Sequence, residues 1–169
     1  MPDFNITIDL TTLLLLVLLA LAIGGLVLVR TRAPLPATGD SQTLQLRLQA
    51  YERLVLLAER ISLPHLISRL NSPSSADEMK ALLIESIKQE FDYNSTQQLY
   101  VSATAWEAIR NLKEQNILLI NQVAASLGWQ ATGAMLNKKL LELRLAQQDK
   151  PLDDIVKTVL NEEAKRLMR

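Results

Sequence analysis

The stretch "LQLRLQAYERLVLLAERI", residues 44–61, decides what the body of this chain is. Leu44, Leu48, Tyr51, Val55 and Ala58 recur at alternating spacings of four and three, Leu54 and Ile61 widen that stripe, and charged residues take the other face. This is the period of an amphipathic helix with one face to bury. Such a helix is stable only against partners, so the question becomes what the rest of the chain supplies.

Downstream, the same period recurs. Pro64 behind Ser62 restarts the chain as a short helix carrying Leu66, Ile67 and Leu70, and "NSPSS" (71–75) breaks it. Ser75-Ala76-Asp77-Glu78 is a capping box that opens a helix with Met79, Leu82, Leu83, Ile87 and Phe91 on one face. Residues 94–101, "NSTQQLYV", fit a loop or a helical turn better than a strand, because a lone strand would have no partner. Thr104 to Glu107 repeats the capping box, with Ser102 an equally good cap. The helix behind it holds Trp106, Ile109, Leu112, Ile120, Val123 and Leu127, and Gly128 is its expected left-handed stop. A further helix runs from about Ala131 through Leu136, Leu140 and Leu143. The last starts at Pro151, with Asp149 as a cap and Asp153 and Asp154 in its first turn, and carries Leu152, Ile155, Val156, Val159, Leu160 and Leu167. The expected fold class is all-α: five or six amphipathic helices in a bundle over residues 42–169.

Upstream, Leu10 to Val29 is a run of 20 residues without a charge, "LTTLLLLVLLALAIGGLVLV". As a helix it would span roughly 30 Å, a bilayer core, so residues 10–30 read as one transmembrane helix after a short tail, 1–9, and before a linker, 31–41. The tail has no Lys or Arg and the apolar run continues past Ala22, so a cleaved signal peptide fits less well than an uncleaved anchor. Arg30 and Arg32 follow the run, whereas Asp3 and Asp9 precede it. Positive residues stay inside, which places the amino terminus outside and residues 42–169 in the cytoplasm of a single-pass inner-membrane protein. Leu35 to Gly39 spell LPATG, a sortase-like pentapeptide, but a sorting signal precedes its apolar span and lies near the carboxyl end. Here it is a linker. Ala20 and Gly24 form a small-xxx-small pair, a contact for another membrane helix and for a homo-oligomer.

The chain resembles a known group at two places. The stretches "LRLQAYERLVLLAERI" and "EFDYNSTQQLYVSATAWEAIRNLKEQNILLIN" are similar to an uncharacterised family of small membrane-anchored helical proteins from Bacteroidota. The resemblance covers the anchor and about the first two-thirds of the body. It implies a Gram-negative inner-membrane address and adds no activity.

Composition narrows the chemistry. There is no cysteine, which removes thiol nucleophiles, thiolate metal sites and disulfides together. All 18 basic residues follow the apolar run while two of the 18 acidic ones precede it, so the body carries +2, too little to point to nucleic acid. Among five glycines there is no phosphate loop or dinucleotide fingerprint. His65, the single histidine, reads as a surface residue without partners. Glu52 with Arg53, Glu59 with Arg60, and Glu162 with Arg166 read as solvated charge. Lys138-Lys139 and Lys165-Arg166 are too sparse for a lipid-recognition cluster. No catalytic, cofactor or metal residues stand out, and an enzyme is not expected.

One segment does draw attention. Four of the seven aromatics, Phe91, Tyr93, Tyr100 and Trp106, fall within 16 residues. Phe91 and Trp106 lie on apolar stripes and are expected in the core. Tyr93 and Tyr100 either pin an irregular loop to the bundle or form, with Gln97 and Gln98, an exposed surface for a protein partner. The function expected is an interaction module of a membrane assembly, an accessory subunit or scaffold beside the lipid bilayer. The alternative is a peripheral domain that binds or senses lipid or a hydrophobic ligand between its helices.

Overall fold

The computed structural model describes residues 38–146 and 150–169. The apolar run with Ala20, Gly24, Arg30 and Arg32, and the cap assigned to Asp149, lie outside the described residues. Among those described, no helix is long and apolar enough to cross a membrane. The chain divides into two units, Met1–Ser41 and Gln42–Arg169, and the second is the body.

The body is all-helical, with no strand among the described residues. Among the described residues six α-helices follow in order: α1, Thr38–Arg60; α2, Leu63–Arg69; α3, Ala76–Tyr93; α4, Ala103–Ala125; α5, Gly133–Ala146; and α6, Leu152–Leu167. Helix α1 thus begins within the stretch read as linker. Between α3 and α4, Ser95–Leu99 form one 3-10 turn, the helical alternative for that segment. Helix α3 packs on α4 and α5, α4 on α5 and α6, and α2 on α3 and α5. The core runs through Leu54, Leu66, Leu83, Ile109, Leu136 and Leu160, all fully buried.

Local chemistry sets the element ends. Ser75 Oγ accepts from Asp77 N (3.2 Å) and Glu78 N (3.4 Å) to cap α3. Of the two candidate caps for α4, Ser102 wins, its Oγ accepting from Ala105 N at 3.0 Å. Gly128 is not the expected left-handed stop, since among the described residues no glycine has positive φ. Helix α4 closes earlier, at Ala125. Ser126 Oγ donates to the Val123 carbonyl (2.7 Å) and Leu127 N to Ala124 O (3.2 Å), so the orphan carbonyls are met without a left-handed residue. Helix α5 starts at Gly133 rather than near Ala131, because Ala131 is used otherwise: its carbonyl accepts from Ala76 N at 2.9 Å, joining the start of α3 to the turn before α5.

Some stripe residues are not interior. Leu82, Leu143, Leu152 and Ile155 are exposed, and Trp106 is half-buried, tilted against Phe91 with ring centroids 5.0 Å apart. Lys113 Nζ sits 4.3 Å over the other member of that pair, Phe91, so these aromatics form a cation-capped flank of the bundle instead of its centre.

Helix α1 is tied to the others by polar links that the sequence does not advertise. Tyr51, 2% exposed, donates to Glu163 Oε2 at 2.6 Å and accepts from Ser102 N at 3.1 Å. Ser102 Oγ donates to the same Glu163 oxygen at 2.5 Å, so one carboxylate joins α1, the start of α4 and α6. Burial, reinforced by Glu163, raises the Tyr51 pKa. Lys157 on α6 reaches Glu59 Oε2 (2.8 Å) and Asp154 (2.9 Å). Burial works against its ammonium, yet those carboxylates outweigh it and raise its pKa. His65 has a partner after all, its Nε2 lying 2.8 Å from Glu59 Oε1. Glu59 and Arg60, though partly exposed as expected of a solvated pair, also make contacts between helices, Arg60 reaching Glu90 on α3.

Candidate functional site

An open groove of about 750 Å³ has two helices for its long walls. Helix α1 contributes Arg53, Leu56, Leu57 and Arg60, spaced i, i+3, i+4, i+7; helix α3 contributes Ser86, Gln89, Glu90 and Tyr93 at the same spacing. That spacing places each set on one face for two turns, about 10 Å of axis. Arg69 and Leu70, at the end of α2, also line it. Leu57 is buried, Leu70 half-buried and Leu56 56% exposed, so the groove has an apolar strip under a polar rim.

The rim is electrically one-sided. Arg60 grips Glu90 with both Nε (2.8 Å) and Nη2 (2.6 Å), and Arg69 Nη1 reaches the same carboxylate at 3.1 Å. The Arg60 hydrogen bond, with Arg69 behind it, holds the Glu90 pKa below the ordinary glutamate value despite partial burial. Arg53 is different: it is exposed and makes no hydrogen bond or ion pair with any described residue. Three guanidinium groups against one carboxylate leave the groove at +2.

Tyr93 is the one sequence-predicted surface residue that lines the groove, at its rim and 78% exposed. Gln98, Leu99 and Tyr100 are exposed on and after the 3-10 turn, and Gln97 is half-buried, but none of the four lines the groove. The tyrosines do not pin this segment. Buried Asn94 does, its Nδ2 donating to the Glu90 carbonyl at 2.8 Å while its own carbonyl accepts from Gln97 N at 3.0 Å. Tyr93 and Tyr100 are both exposed, at 78% and 38%.

A second, smaller recess of about 190 Å³ lies where Leu63, Asn116, Leu118, Arg144, Leu152 and Asp153 meet. Its charges are already spent, since Arg144 holds Asp153 through two bonds of 2.7 and 3.0 Å and Asn116 donates to the Ile61 carbonyl. Among the described residues no group of three or more His, Asp or Glu is placed to hold a metal ion.

Sequence reasoning missed the groove walls. Leu56 stands off the α1 stripe beside Arg53, and this leucine on a charged face is the signal that was there to read. The pairing of Arg60 with Glu90, 30 residues apart, had no local signature.

Comparison with known proteins adds a family and no chemistry. The model described as "Family of unknown function (DUF7935)" matches residues 7–167, and the chain belongs to that family. No curated protein and no solved structure matches it.

Proposed function

We propose, for this member of a family of unknown function, a protein-docking role: a single-span, inner-membrane-anchored helical module that serves as an accessory subunit or scaffold of a membrane assembly. Residues 10–30 form its anchor, the amino terminus lies outside, and the helical body lies in the cytoplasm. The uncharged run and the arginines behind it support the address, and the family match takes in both that run and the body.

The observation that carries the docking role is the groove between α1 and α3. Its walls present exposed Leu56 and Tyr93 beside a guanidinium with no partner among the described residues, an apolar strip with a polar rim of the kind protein interfaces use. The exposed Leu99 and Tyr100 extend apolar surface beyond Tyr93 along the chain. A second reading, a lipid or hydrophobic ligand held in the groove, draws on the leucines and on a volume within the range of small-molecule pockets.

Photocrosslinking in native membranes separates the two. A benzoylphenylalanine replacing Tyr93 should capture one defined protein, whereas the same residue replacing the exposed Thr158 on α6 should not. Adducts to lipid alone at Tyr93 would favour the second reading, and equal protein capture at both positions would remove the groove from consideration.

A further inference from the structure

We propose that the occupant of the α1–α3 groove is an acidic amphipathic helix of a partner protein, an inference that rests on the docking role above and specifies its chemistry.

Three observations lead there. The first concerns backbone. Both walls are helices whose N–H and C=O groups are spent on their own turns, so an extended peptide would find no main-chain partners along them. A helix satisfies its own backbone and needs only side-chain contacts, which is the helix-in-groove mode of recognition.

The second is spacing. Residues 53, 56, 57 and 60 line the groove from α1 and residues 86, 89, 90 and 93 from α3, two i, i+3, i+4, i+7 sets over about two turns each. The seam between them is where a third helix lays an apolar stripe, its anchors meeting Leu56, Leu57, Leu70 and Tyr93.

The third is charge. Glu90 already shows how this rim holds a carboxylate, gripped through Nε and Nη2 of Arg60 and by Arg69. That internal acid leaves +2 in the groove, and Arg53 stands about two helical turns from Arg60 with no counter-ion among the described residues. An Asp or Glu beside the partner's apolar stripe would meet Arg53 in the same forked geometry. A basic helix would meet three arginines and be repelled.

The test uses the full chain in zwitterionic phosphatidylcholine nanodiscs and two labelled helical peptides of about 14 residues, four turns. They share one leucine stripe and carry either Glu or Lys beside it. Fluorescence anisotropy should show the Glu peptide binding, weakening with salt, and the Lys peptide binding roughly tenfold or more less tightly. Arg53→Glu should weaken the Glu peptide by a similar factor of roughly ten, and folding should be untouched because Arg53 is exposed and makes no hydrogen bond or ion pair with a described residue. Arg166→Glu, the same charge change on α6, should leave binding as it is. Failure of the Glu peptide to bind, equal binding of the Lys peptide, indifference to Arg53→Glu, or an equal loss in Arg166→Glu would each overturn the acidic-helix inference. Should the Tyr93 photoadduct contain a protein segment that is basic or extended, the docking role survives and this inference falls. Absence of any protein adduct there would end both.

Discussion

The same small substitution should act with opposite sign at two glycines about five residues apart. A Cβ at Gly133, the first residue of α5, would stand 2.6 Å from the Pro73 carbonyl oxygen, 2.7 Å from Ser72 Oγ and 3.2 Å from Met79 Cβ. The serine hydroxyl can rotate away, but the Pro73 carbonyl is backbone, so the turn before α3 must move from α5. That turn is held by the Ala76 N to Ala131 O bond of 2.9 Å, and the same displacement loads it. Overpacking of this sort costs about 1–3 kcal/mol, against which the stiffer unfolded chain returns about 0.4–1 kcal/mol. Gly133→Ala should therefore lose about 1–2 kcal/mol net. At Gly128 nothing lies within 4 Å of the added carbon and φ is not positive, so Gly128→Ala should gain about 0.4–1 kcal/mol. Urea unfolding of a fragment from Asp40 to Arg169, followed by circular dichroism at 222 nm, reads both. The midpoints should move apart in opposite directions with the slope unchanged. Should Gly133→Ala be as stable as the parent, the close approach of α5 to the 71–75 turn is wrong.

Three further outcomes follow from named contacts. Tyr51→Phe removes the donor to Glu163 and strands the Ser102 N–H, and should cost about 1.5–3 kcal/mol in the same titration; a loss under about 0.5 kcal/mol would mean that the junction carries no strain or bonding of consequence. Because the folded Tyr51 pKa is raised, its contribution is whole below the ordinary value of 10.0 and is lost as pH climbs beyond it, so the alkaline fall in stability should flatten in Tyr51→Phe. The folded Glu90 pKa is lowered, so its contribution is present above 4.5 and lost as pH drops below, and acid unfolding curves of Glu90→Gln should lack that part of the decline. For topology, Ser41→Cys should resist an impermeant thiol reagent in intact spheroplasts and react after lysis; labelling of intact cells would reverse the proposed orientation.

Periodicity made the helices legible because each side chain reports its own face. The stripes of α1 and α3, the Ser75 cap and the restart at Pro64 are local signals that survive into the structure. Ends set by tertiary partners were not readable. Ala131 is withheld from α5 because a residue 55 positions earlier uses its carbonyl, and α4 stops early because a serine closes it. The candidate site divides along the same line. Tyr93 was visible as an aromatic beside amides. Its neighbours across the groove were not, since Arg53 and Leu56 acquire meaning only when the fold brings α1 and α3 to one groove. Likewise His65, which offers no partner within "LPHLISR", finds one in Glu59 on the preceding helix.

The sharing of one Glu163 oxygen by Tyr51 and Ser102 has a mechanical side. A pull applied at the amino-terminal end of α1 meets side chains 112 and 98 residues away, through Tyr51 to Glu163 and through Glu59 to Lys157. Tension entering by α1 must then break both attachments to α6 together, as in shear, before the helix can peel from the bundle. The first helix is thereby fastened to the last, and the two ends of the body yield as one unit. A traction experiment with the handle at Ser41 should accordingly show a single rupture event, and Tyr51→Phe should lower its force.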